Sequence, residues 1–384
     1  MRQSMIAGKK WIPIKIVLLI FLFIAGAMAG DDKPASIDRA PELSGVVKLN
    51  NYECAGGYRF YSSRQTHQAH LIDIYGNVIN SWSYPTGSWH YAEMLPNGHV
   101  IAIDKDDKTI ELDWESNLVW EAEGTPHHDI YKYPGGNIIV LDEEKVSGGI
   151  GNKADDDSWS ISYLREYDGN EVVWEWHQIN HLEEIAAFIE DDWNMMEEFD
   201  GSHTNSIEVL PENPSGLKDS RFQQGNILID DKAINTMFVI DKESKEVVWA
   251  KYVGAGSAQH MPTMLENGNI MYYDNNGHDG HPAHTRIVEL DPITDEIIWE
   301  YYGDPPRTFY SRTRGSAEVL PNNNVLIAES DAGRMFEVNR DGEIVWEFLN
   351  PDRDGDTKKR QPMYRVLWYS EATVNAILNK HGKR

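Results

Sequence analysis

Residues 319–346 of the chain read VLPNNNVLIAESDAGRMFEVNRDGEIVW. A short apolar phrase leads into an Asn-rich turn, a second apolar run follows, and after the charged turn RDGE the segment ends on IVW. Short apolar runs separated by turn residues predict β-strands joined by tight hairpins. The segment therefore predicts a small antiparallel unit: strand, turn, strand, charged turn, and a strand that ends in tryptophan.

The same unit recurs along the chain. Phrases similar to VLPNNNVLIA occur four more times: MLPNGHVIAI (94–103), YPGGNIIVL (133–141), GNILI (225–229) and MLENGNIMYY (264–273). Strand-like phrases that end in tryptophan occur six times, at Trp82, Trp120, Trp174, Trp249, Trp299 and Trp346. Internal periods of about 40–50 residues with several short strands per unit are typical of β-propeller blades.

We therefore predict an all-β fold, a six-bladed β-propeller over residues 46–370. The first blade is expected to comprise residues 46–82 and to be closed by a late strand near YRVLWY (364–369), because closure hides sheet edges. The longest unit contains HLEEIAAFIEDDWNMMEEF (181–199), which predicts a short acidic helical insertion. Residues 30–45 are expected to form a linker, and residues 371–384 a C-terminal tail.

The N-terminal segment predicts export. Arg2, Lys9, Lys10 and Lys15 surround the start of the apolar run IVLLIFLFIAGAMA (16–29), which ends in a small-x-small cleavage pattern. Fourteen apolar residues are short for a membrane span, so residues 1–29 are interpreted as a signal peptide, with an N-terminal membrane anchor as the alternative. The remainder of the chain is expected to be periplasmic or secreted.

Charge and cysteine content exclude several functional classes. The formal net charge is −27, and removal of residues 1–29, which carry four positive and no negative charges, brings it to −31. Such a surface repels phosphate backbones, so nucleic acid is not an expected partner. An anionic substrate would need a local cationic site. The single cysteine, Cys54, excludes an internal disulfide and a cysteine-based zinc site.

Four histidines occur in a common frame. His90, His128 and His260 each lie five residues before the Leu or Tyr that starts a turn, and His203 lies seven residues before Leu210. Positions separated by two residues share a face of a strand. Because the first strand of each propeller blade lines the central channel, four blades are expected to direct imidazoles into one funnel.

Here the chain resembles a known family. GTPHHDIYKYPGGNIIVL, DGSHTNSIEVLP, AQHMPTMLENGNIMYYDNNG and YSRTRGSAEVLPNNNVLIAESDAGRMFEV are similar to successive blade motifs of the arylsulfotransferase family, the PAPS-independent bacterial aryl-sulfate sulfotransferases. The resemblance covers residues 46–368. It implies an exported six-bladed enzyme that needs no cofactor and moves a sulfuryl group from an aryl sulfate donor to a phenolic acceptor through a sulfated histidine.

The resemblance also implies roles for particular residues. The histidine of the Q-H motif, His260, corresponds to the nucleophile, and His203, with one of His127 and His128, corresponds to the supporting histidines. Lys232 stands where the family has an arginine, and a lysine cannot make the two-pronged contact of a guanidinium with a sulfate. The residues expected to bind substrate are Asn205, Gln259, Arg312, Arg314 and His90.

The chemistry suits these residue types. Sulfuryl transfer resembles phosphoryl transfer in needing an in-line nucleophile and donors for the equatorial oxygens. An imidazole is mostly unprotonated at neutral pH, and a second histidine can exchange the phenol proton. Trp89, Tyr310 and Trp193 are candidates for stacking on the aryl ring.

Two alternatives remain open from the sequence. The first is metal binding, by the loop DNNGHDGHPAH with His278, Asp279, His281 and His284, or of calcium by the aspartates of PDRDGDTKK, Asp352, Asp354 and Asp356. The second is a non-catalytic propeller that serves as a binding or scaffold module, which the lysine at position 232 favours. The sequence does not specify an oligomeric state.

Overall fold

The computed structural model describes residues 42–64, 66–105, 107–147, 158–189, 199, 201–276 and 284–382. Six antiparallel sheets, five of four strands and one of five, form the blades of a propeller. The innermost strands of neighbouring blades contact one another in a closed ring. The predicted six-bladed β-propeller is therefore confirmed.

Each blade is an up-and-down sheet that starts on the inside. From inside to outside, blade 1 contains β25 (Met363–Tyr369), β2 (Tyr58–Ser63), β3 (Gln68–Asp73) and β4 (Val78–Ser83). Blade 2 contains β5 (Trp89–Met94), β6 (Val100–Asp104), β7 (Lys108–Leu112) and β8 (Leu118–Glu123). Blade 3 contains β9 (Pro126–Lys132), β10 (Ile138–Ser147), β11 (Ser158–Asp168) and β12 (Glu171–His177).

The second half of the ring repeats this order. Blade 4 contains β13 (Thr204–Val209), β14 (Ile227–Asp231), β15 (Thr236–Ile240) and β16 (Val247–Tyr252). Blade 5 contains β17 (His260–Met264), β18 (Ile270–Asp274), β19 (Arg286–Leu290) and β20 (Ile297–Tyr302). Blade 6 contains β21 (Ser316–Val319), β22 (Val325–Glu329), β23 (Arg334–Val338), β24 (Ile344–Leu349) and, outermost, β1 (Gly45–Leu49).

The ring closes through both ends of the described chain. Strand β25 is the inner strand of blade 1, as the sequence predicted. The expectation that blade 1 begins at residue 46 is wrong, because β1 pairs with β24 and extends blade 6 instead. Two interlocked strands thus hold the last blade and the first together, and the closed ring leaves fewer sheet edges exposed.

Four of the six repeated tryptophans bond their blade to the next one. The indole N–H of Trp120, Trp174, Trp299 and Trp346 donates to a main-chain carbonyl in a turn of the following blade, at 2.8–3.1 Å. For Trp346 of blade 6 the acceptor is Ile74 of blade 1. Apolar clusters of inward-facing residues fill the space between the blades. The sequence repeat is therefore a repeat of interblade contacts.

Helices occupy little of the fold. The acidic insertion begins with a 3-10 helix, Gln178–His181, and continues as α1, Leu182–Ala187. Residues 190–198 of the predicted insertion lie outside the described residues. Short 3-10 helices occur at Ser220–Phe222, Pro306–Thr308 and Ser330–Ala332.

The C-terminal tail contains a helix, α2, Glu371–Lys380. Its N-cap is Ser370, whose hydroxyl accepts from the Thr373 N–H at 3.0 Å, and Val374 and Ile377 pack into the core between blades 1 and 2. Among the described residues, no helix combines the length and apolarity that a membrane span needs. The predicted signal or anchor segment, residues 1–29, and most of the linker lie outside them.

Candidate active site

The six inner strands start at the same end of the central channel, and this end carries the histidines. We call it the histidine end and the opposite end, where the inner strands finish, the glutamate end. In β5, His90 has no partner in β6, because Trp89 pairs with Asp104 while Tyr91 pairs with the next residue, Ile103. Strands β9, β13, β17 and β25 have register shifts at the same end. Such bulges bend a strand and redirect its side chains.

Unusual backbone conformations accompany these bulges. His128, Met261 and Arg314 have φ angles of 60°, 49° and 62°, in the left-handed region that L-residues other than Asn and Asp seldom adopt. Outliers of this kind concentrate at functional sites, where the surrounding structure enforces them. A simple period-2 count along the strands does not predict these conformations.

Four of the predicted histidines form one cluster. The ring of His128 lies 4.5 Å from that of His90, 5.0 Å from that of His127 and 4.7 Å from that of His203, measured between centroids. His128 Nδ1 is 2.8 Å from His127 Nδ1, and its Nε2 is 3.2 Å from His203 Nε2. The structure thus brings together imidazoles from blades 2, 3 and 4.

The contacts within the cluster link the protonation of its members. A neutral imidazole has one N–H and one lone pair, so each nitrogen–nitrogen contact needs one donor and one acceptor. If His127 donates to His128, then His128 must donate to His203, and the reverse order requires the opposite tautomer in all three rings. The chain of rings from His127 to His203 can therefore pass a proton from one end to the other while each ring stays neutral.

Burial keeps the histidines uncharged. It lowers the pKa of His127 and of His260 to about 3 and, together with the charge of Lys232, lowers that of His203 to about 4. The pKa values of His90 and His128 also lie well below the ordinary value, first because of burial and then because of neighbouring cations and imidazoles. At neutral pH all five rings are neutral bases.

His260 has a defined tautomer. Its Nδ1 lies 2.9 Å from the Ala258 carbonyl and 2.8 Å from Asn275 Oδ1, and both of these atoms are acceptors. Its Nε2 accepts from the Arg314 main-chain N–H at 3.1 Å. Since Nδ1 must carry the proton, Nε2 carries the lone pair. The ring is thus a neutral imidazole with its nucleophilic nitrogen directed at the start of blade 6.

Cationic side chains surround the histidines. Lys232 follows β14, and its main-chain N–H donates to the His203 carbonyl at 3.1 Å. Arg314 precedes β21 and bonds through Nη1 to Asp331 at 3.3 Å, whereas Arg312 is exposed. Burial, and then the charges of Arg312 and Arg314, lower the pKa of Lys232. The pKa of His90 is also lowered, first by burial and then by the charges of Lys105, Arg314 and Arg64. A protein of net charge −27 therefore has a cationic region at this end.

A buried ion pair spans the channel below the histidines. Arg365 of β25 donates to both carboxylate oxygens of Asp129 of β9, at 2.8 and 3.1 Å, and to the Asn205 carbonyl at 3.0 Å. Asp129 also accepts from the Ile207 N–H at 2.9 Å. The pair joins blades 1, 3 and 4 and separates the histidine end from the rest of the channel.

Two residues predicted to bind substrate lie behind the histidines. Asn205 and Gln259 are both 0% exposed. Asn205 Nδ2 donates to the Gln259 carbonyl at 2.8 Å, and Gln259 Nε2 donates to the Asp231 carbonyl at 3.2 Å. These bonds tie the starts of β13 and β17 to the end of β14. Contact of either side chain with a substrate stays a prediction.

The aromatic candidates differ in their positions. Trp89 is 0% exposed, packs in the apolar core between blades 1 and 2 and donates to Thr86 Oγ1 at 3.0 Å, so the expected stacking of Trp89 on a ligand is wrong. Tyr310 is half-buried beside Arg312. Trp193 lies outside the described residues.

The alternative metal sites find no support among the residues that the structure describes, where no three His, Cys, Asp or Glu side chains converge as metal ligands. Asp352 accepts from Ser63 Oγ at 2.7 Å, and Asp354 accepts from main-chain N–H groups of its own turn. His284 is buried beside the Tyr302 ring. His278, Asp279 and His281 lie outside the described residues.

Sequence reasoning missed three residues of this region: Asn275, Asp129 and Arg365. Asp129 directly follows the two histidines of blade 3, and Arg365 belongs to the segment that was identified only as the closing strand. A charged residue inside an otherwise apolar inner strand was the available signal for both. Asn275, in the turn after β18, resembles an ordinary turn residue, and nothing in the sequence distinguishes it.

Comparisons with solved structures agree with the fold. A protein of unknown function from Bacteroides caccae is similar to this chain with a TM-score of 0.51 and 11% identity, over 81% of this chain and 98% of that one. A streptogramin B lyase has a TM-score of 0.49 and 11% identity over 85% and 93% of the two chains, and virginiamycin B lyase from Staphylococcus aureus 0.46 and 13% over 80% and 88%. At 11% identity the likeness to the Bacteroides caccae protein concerns the fold alone.

Sequence comparison is more specific. No curated protein matches the chain. The family model described as "Arylsulfotransferase (ASST)" matches residues 91–351, which contain four complete inner strands and four of the five histidines of the site: His127, His128, His203 and His260. This match covers more than half of the chain, and His90 lies just before its first residue. The chain belongs to the arylsulfotransferase family.

Proposed function

We propose that this protein transfers a sulfuryl group from a phenolic sulfate ester to a phenolic acceptor, with His260 as the group that is transiently sulfated. The observation that carries the proposal is the state of His260. Its ring is buried and neutral, and its unprotonated Nε2 lies in a cationic region of an otherwise strongly acidic protein. A sulfate ester is an anion that needs such a region and such a nucleophile.

In the first half-reaction, the lone pair of His260 Nε2 forms a bond to sulfur while the bond from sulfur to the aryl oxygen breaks. The leaving phenolate has a pKa near 10, as Tyr does, so it takes up a proton at neutral pH. The linked rings can relay that proton: His203 gives one proton to the phenolate, and His128 and His127 each pass one along. His127 Nε2 takes up a proton from solvent on the side of Glu143, 3.8 Å away, so every ring stays neutral. Lys232 and Arg314 are the cations proposed to bind the equatorial sulfuryl oxygens.

The second half-reaction reverses the first. The acceptor phenol returns its proton to the histidine cluster, its oxygen attacks the sulfur on His260, and the imidazole leaves as the neutral base. A covalent intermediate divides the exchange into two similar steps. The departure from the family at Lys232 keeps the positive charge but loses the planar fork, for which Arg314 and Arg312 are the proposed substitutes.

We further propose that the protein acts after export, in the periplasm or as a secreted enzyme, where it meets small aryl sulfates and phenols, with its N-terminal segment either removed as a signal peptide or kept as a membrane anchor. The charged and apolar pattern of residues 1–29 supports this location.

The test is a single-turnover reaction with a chromogenic aryl sulfate and no acceptor. We expect release of one equivalent of phenol and a protein adduct with the mass of one sulfuryl group on the peptide that contains His260, in samples kept alkaline because histidine N-sulfates are acid-labile. Addition of a phenol should then discharge the adduct. Release without an adduct would favour a sulfatase, and absence of both would favour the non-catalytic scaffold.

A further inference from the structure

Asn275 is a buried residue that directly follows β18 in blade 5, and its side chain has three hydrogen bonds. Oδ1 lies 2.8 Å from His260 Nδ1, and Nδ2 donates to the carbonyls of Ser311 and Arg314, each at 2.8 Å. The side chain is 0% exposed. Since carbonyls only accept, the two bonds of Nδ2 fix the orientation of the amide, and Oδ1 must face His260.

Asn275 controls both nitrogens of the His260 ring. Directly, Oδ1 holds the proton on Nδ1. Indirectly, Nδ2 holds the carbonyl of Arg314, the residue whose own N–H contacts Nε2 at 3.1 Å. Gly315 completes this turn with a φ of 115°, and any Cβ there would collide with the Tyr273 ring. The Asn275 amide, together with the Ala258 carbonyl, therefore sets the tautomer of the ring, and it also fixes the place of the donor opposite its lone pair.

We propose that Asn275 is the positioning residue for His260, and that the Arg314 main-chain N–H moves from Nε2 to an equatorial oxygen of the sulfuryl group as the bond to sulfur forms. The proposal rests on the proposed function. When the Nε2 lone pair is used for the N–S bond, the Arg314 N–H loses its acceptor, and the incoming sulfuryl group provides a new one. The donor is then preorganised for the charge that it stabilises.

The two acceptors of the His260 Nδ1–H, the Ala258 carbonyl and Asn275 Oδ1, also affect the second half-reaction. Attack by Nε2 places positive charge on the ring, and the Asn275 amide and the Ala258 carbonyl can stabilise the Nδ1–H without removing it. The intermediate is then an N-sulfoimidazolium, which releases neutral imidazole when the acceptor attacks. A carboxylate in place of the amide would draw the proton away and make the ring a poorer leaving group.

The experiment compares Asn275→Leu and Asn275→Asp with the parent protein. The matched control is Asn226→Leu, because Asn226 is also buried and donates to two carbonyls, of Ser220 and Arg221, in the connection between β13 and β14 of blade 4. The first measurement is the ¹⁵N spectrum of histidine-labelled protein, assigned by the signal lost in His260→Ala. The second is the rate of phenol release and of adduct decay in single turnovers.

In the parent and in Asn226→Leu we expect His260 to be neutral with the proton on Nδ1. In Asn275→Leu we expect a mixture of tautomers and a rate of phenol release lower by about 10²-fold, the usual effect of losing a preorganised donor. In Asn275→Asp we expect a higher His260 pKa and an adduct that decays more slowly in the presence of acceptor.

The proposal is overturned if Asn275→Leu retains the Nδ1–H tautomer and the parent rate, or if Asn226→Leu loses as much activity as Asn275→Leu. The two hypotheses fail separately. A parent protein with the Nδ1–H tautomer that forms no adduct would contradict the proposed function but leave the positioning of His260 by Asn275 intact.

Discussion

The two ends of the central channel both bury titratable side chains, but burial has opposite consequences for them. At the histidine end it lowers pKa values and leaves neutral bases surrounded by cations. At the glutamate end it raises the pKa of Glu93 and Glu318 to about 7 and that of Glu208 to about 8. Burial thus keeps the histidines uncharged at the first end and favours the protonated form of the acids at the second.

The glutamate end contains a cavity of about 780 Å³, whose lining includes Glu93, Glu208 and Glu318. Each of these carboxyl groups accepts one hydrogen bond, from Tyr91 Oη, the Met264 N–H and the Trp368 N–H. The last two bonds join neighbouring inner strands, which is a structural role. Volume and shifted pKa values do not identify a catalytic site, because structural networks produce them too. The proposed nucleophile, a chain of linked imidazoles and nearby cations occur together at the histidine end.

The largest expected effect separates the two ends by activity. His260→Ala should lower sulfuryl transfer by about 10⁴-fold or more, as removal of a covalent nucleophile does. Glu318→Gln, at the other end of the channel, should stay within about twofold of the parent, since it replaces a titratable group that takes no part in the proposed reaction. The measurement is steady-state turnover of an aryl sulfate with added phenol. A His260→Ala protein with parental turnover would return this histidine to a structural role.

The next largest effect concerns the buried ion pair of Arg365 and Asp129, which lies between the two ends of the channel. Arg365→Met leaves Asp129 buried without its partner and should cost about 3–5 kcal/mol in the free energy of unfolding. The double variant Asp129→Leu, Arg365→Met should recover a large part of that loss, because no unpaired charge remains. Urea unfolding of the parent, the two single variants and the double variant measures both. A loss below about 1 kcal/mol for Arg365→Met would show that the ion pair does not hold the blades together.

The sequence predicted the two ends to different extents. The blade count followed from the Trp repeat, since each unit must repeat the same contact with its neighbour. The convergence of His90, His128 and His203 followed from their common frame relative to the turns. The bulges did not, because a bulge depends on the pairing partner in the next strand. Asn275 was missed because its bonds involve residues up to 39 positions away.

The outermost strand of blade 6, β1, also shows what local sequence does not predict. Residues 45–49 have the alternation of a strand, and the sequence placed them in blade 1 because they precede it. Their pairing with β24 is a long-range contact between chain segments about 300 residues apart, which local pattern does not encode. The glutamates of the channel were not identified either, because a glutamate within a strand also fits a solvated face.

A moderate effect is expected at the residue where the chain departs from its family. Lys232→Ala should lower kcat/KM for an aryl sulfate by about 10- to 10³-fold, because an anionic group loses a charged donor in a buried region. Lys232→Arg should retain or raise activity, since the guanidinium restores the two-pronged contact. Thermal unfolding serves as the control and should change little in either variant. Equal activity in all three proteins would move the cationic role to Arg314 and Arg312.

The pH dependence of stability should differ in sign between the ends. At the histidine end the folded pKa values lie below the unfolded value of about 6.5, so stability is full above that pH and falls as pH decreases toward 3. At the glutamate end the folded values, about 7 to 8, lie above the unfolded value of about 4.5, so stability is full below pH 4.5 and falls as pH rises toward 8. The free energy of unfolding should therefore be highest between the pH at which the buried histidines become charged and the pH at which the buried glutamates lose their protons.

The smallest expected effect tests the loss of stability at rising pH, the alkaline limb of the profile. The triple variant Glu93→Gln, Glu208→Gln, Glu318→Gln removes the groups that release protons between pH 5 and 8, so its free energy of unfolding should be flatter over that interval. Between pH 5 and 8, we expect the free energy of unfolding of the triple variant to fall by about 2 kcal/mol less than that of the parent. The difference is no larger because the three side chains line a cavity that admits solvent, which partly screens them.

The control for this triple variant is Glu171→Gln, Glu243→Gln, Glu296→Gln, which changes the net charge equally at three exposed positions. The measurement is urea unfolding at half-unit pH steps from 4 to 9. If the glutamate end holds its protons through burial, only the channel variant flattens the alkaline limb, and the acid limb due to the histidines is the same in all three proteins. Equal flattening in both variants would mean that overall charge, and not burial at the glutamate end, causes the loss of stability above neutral pH.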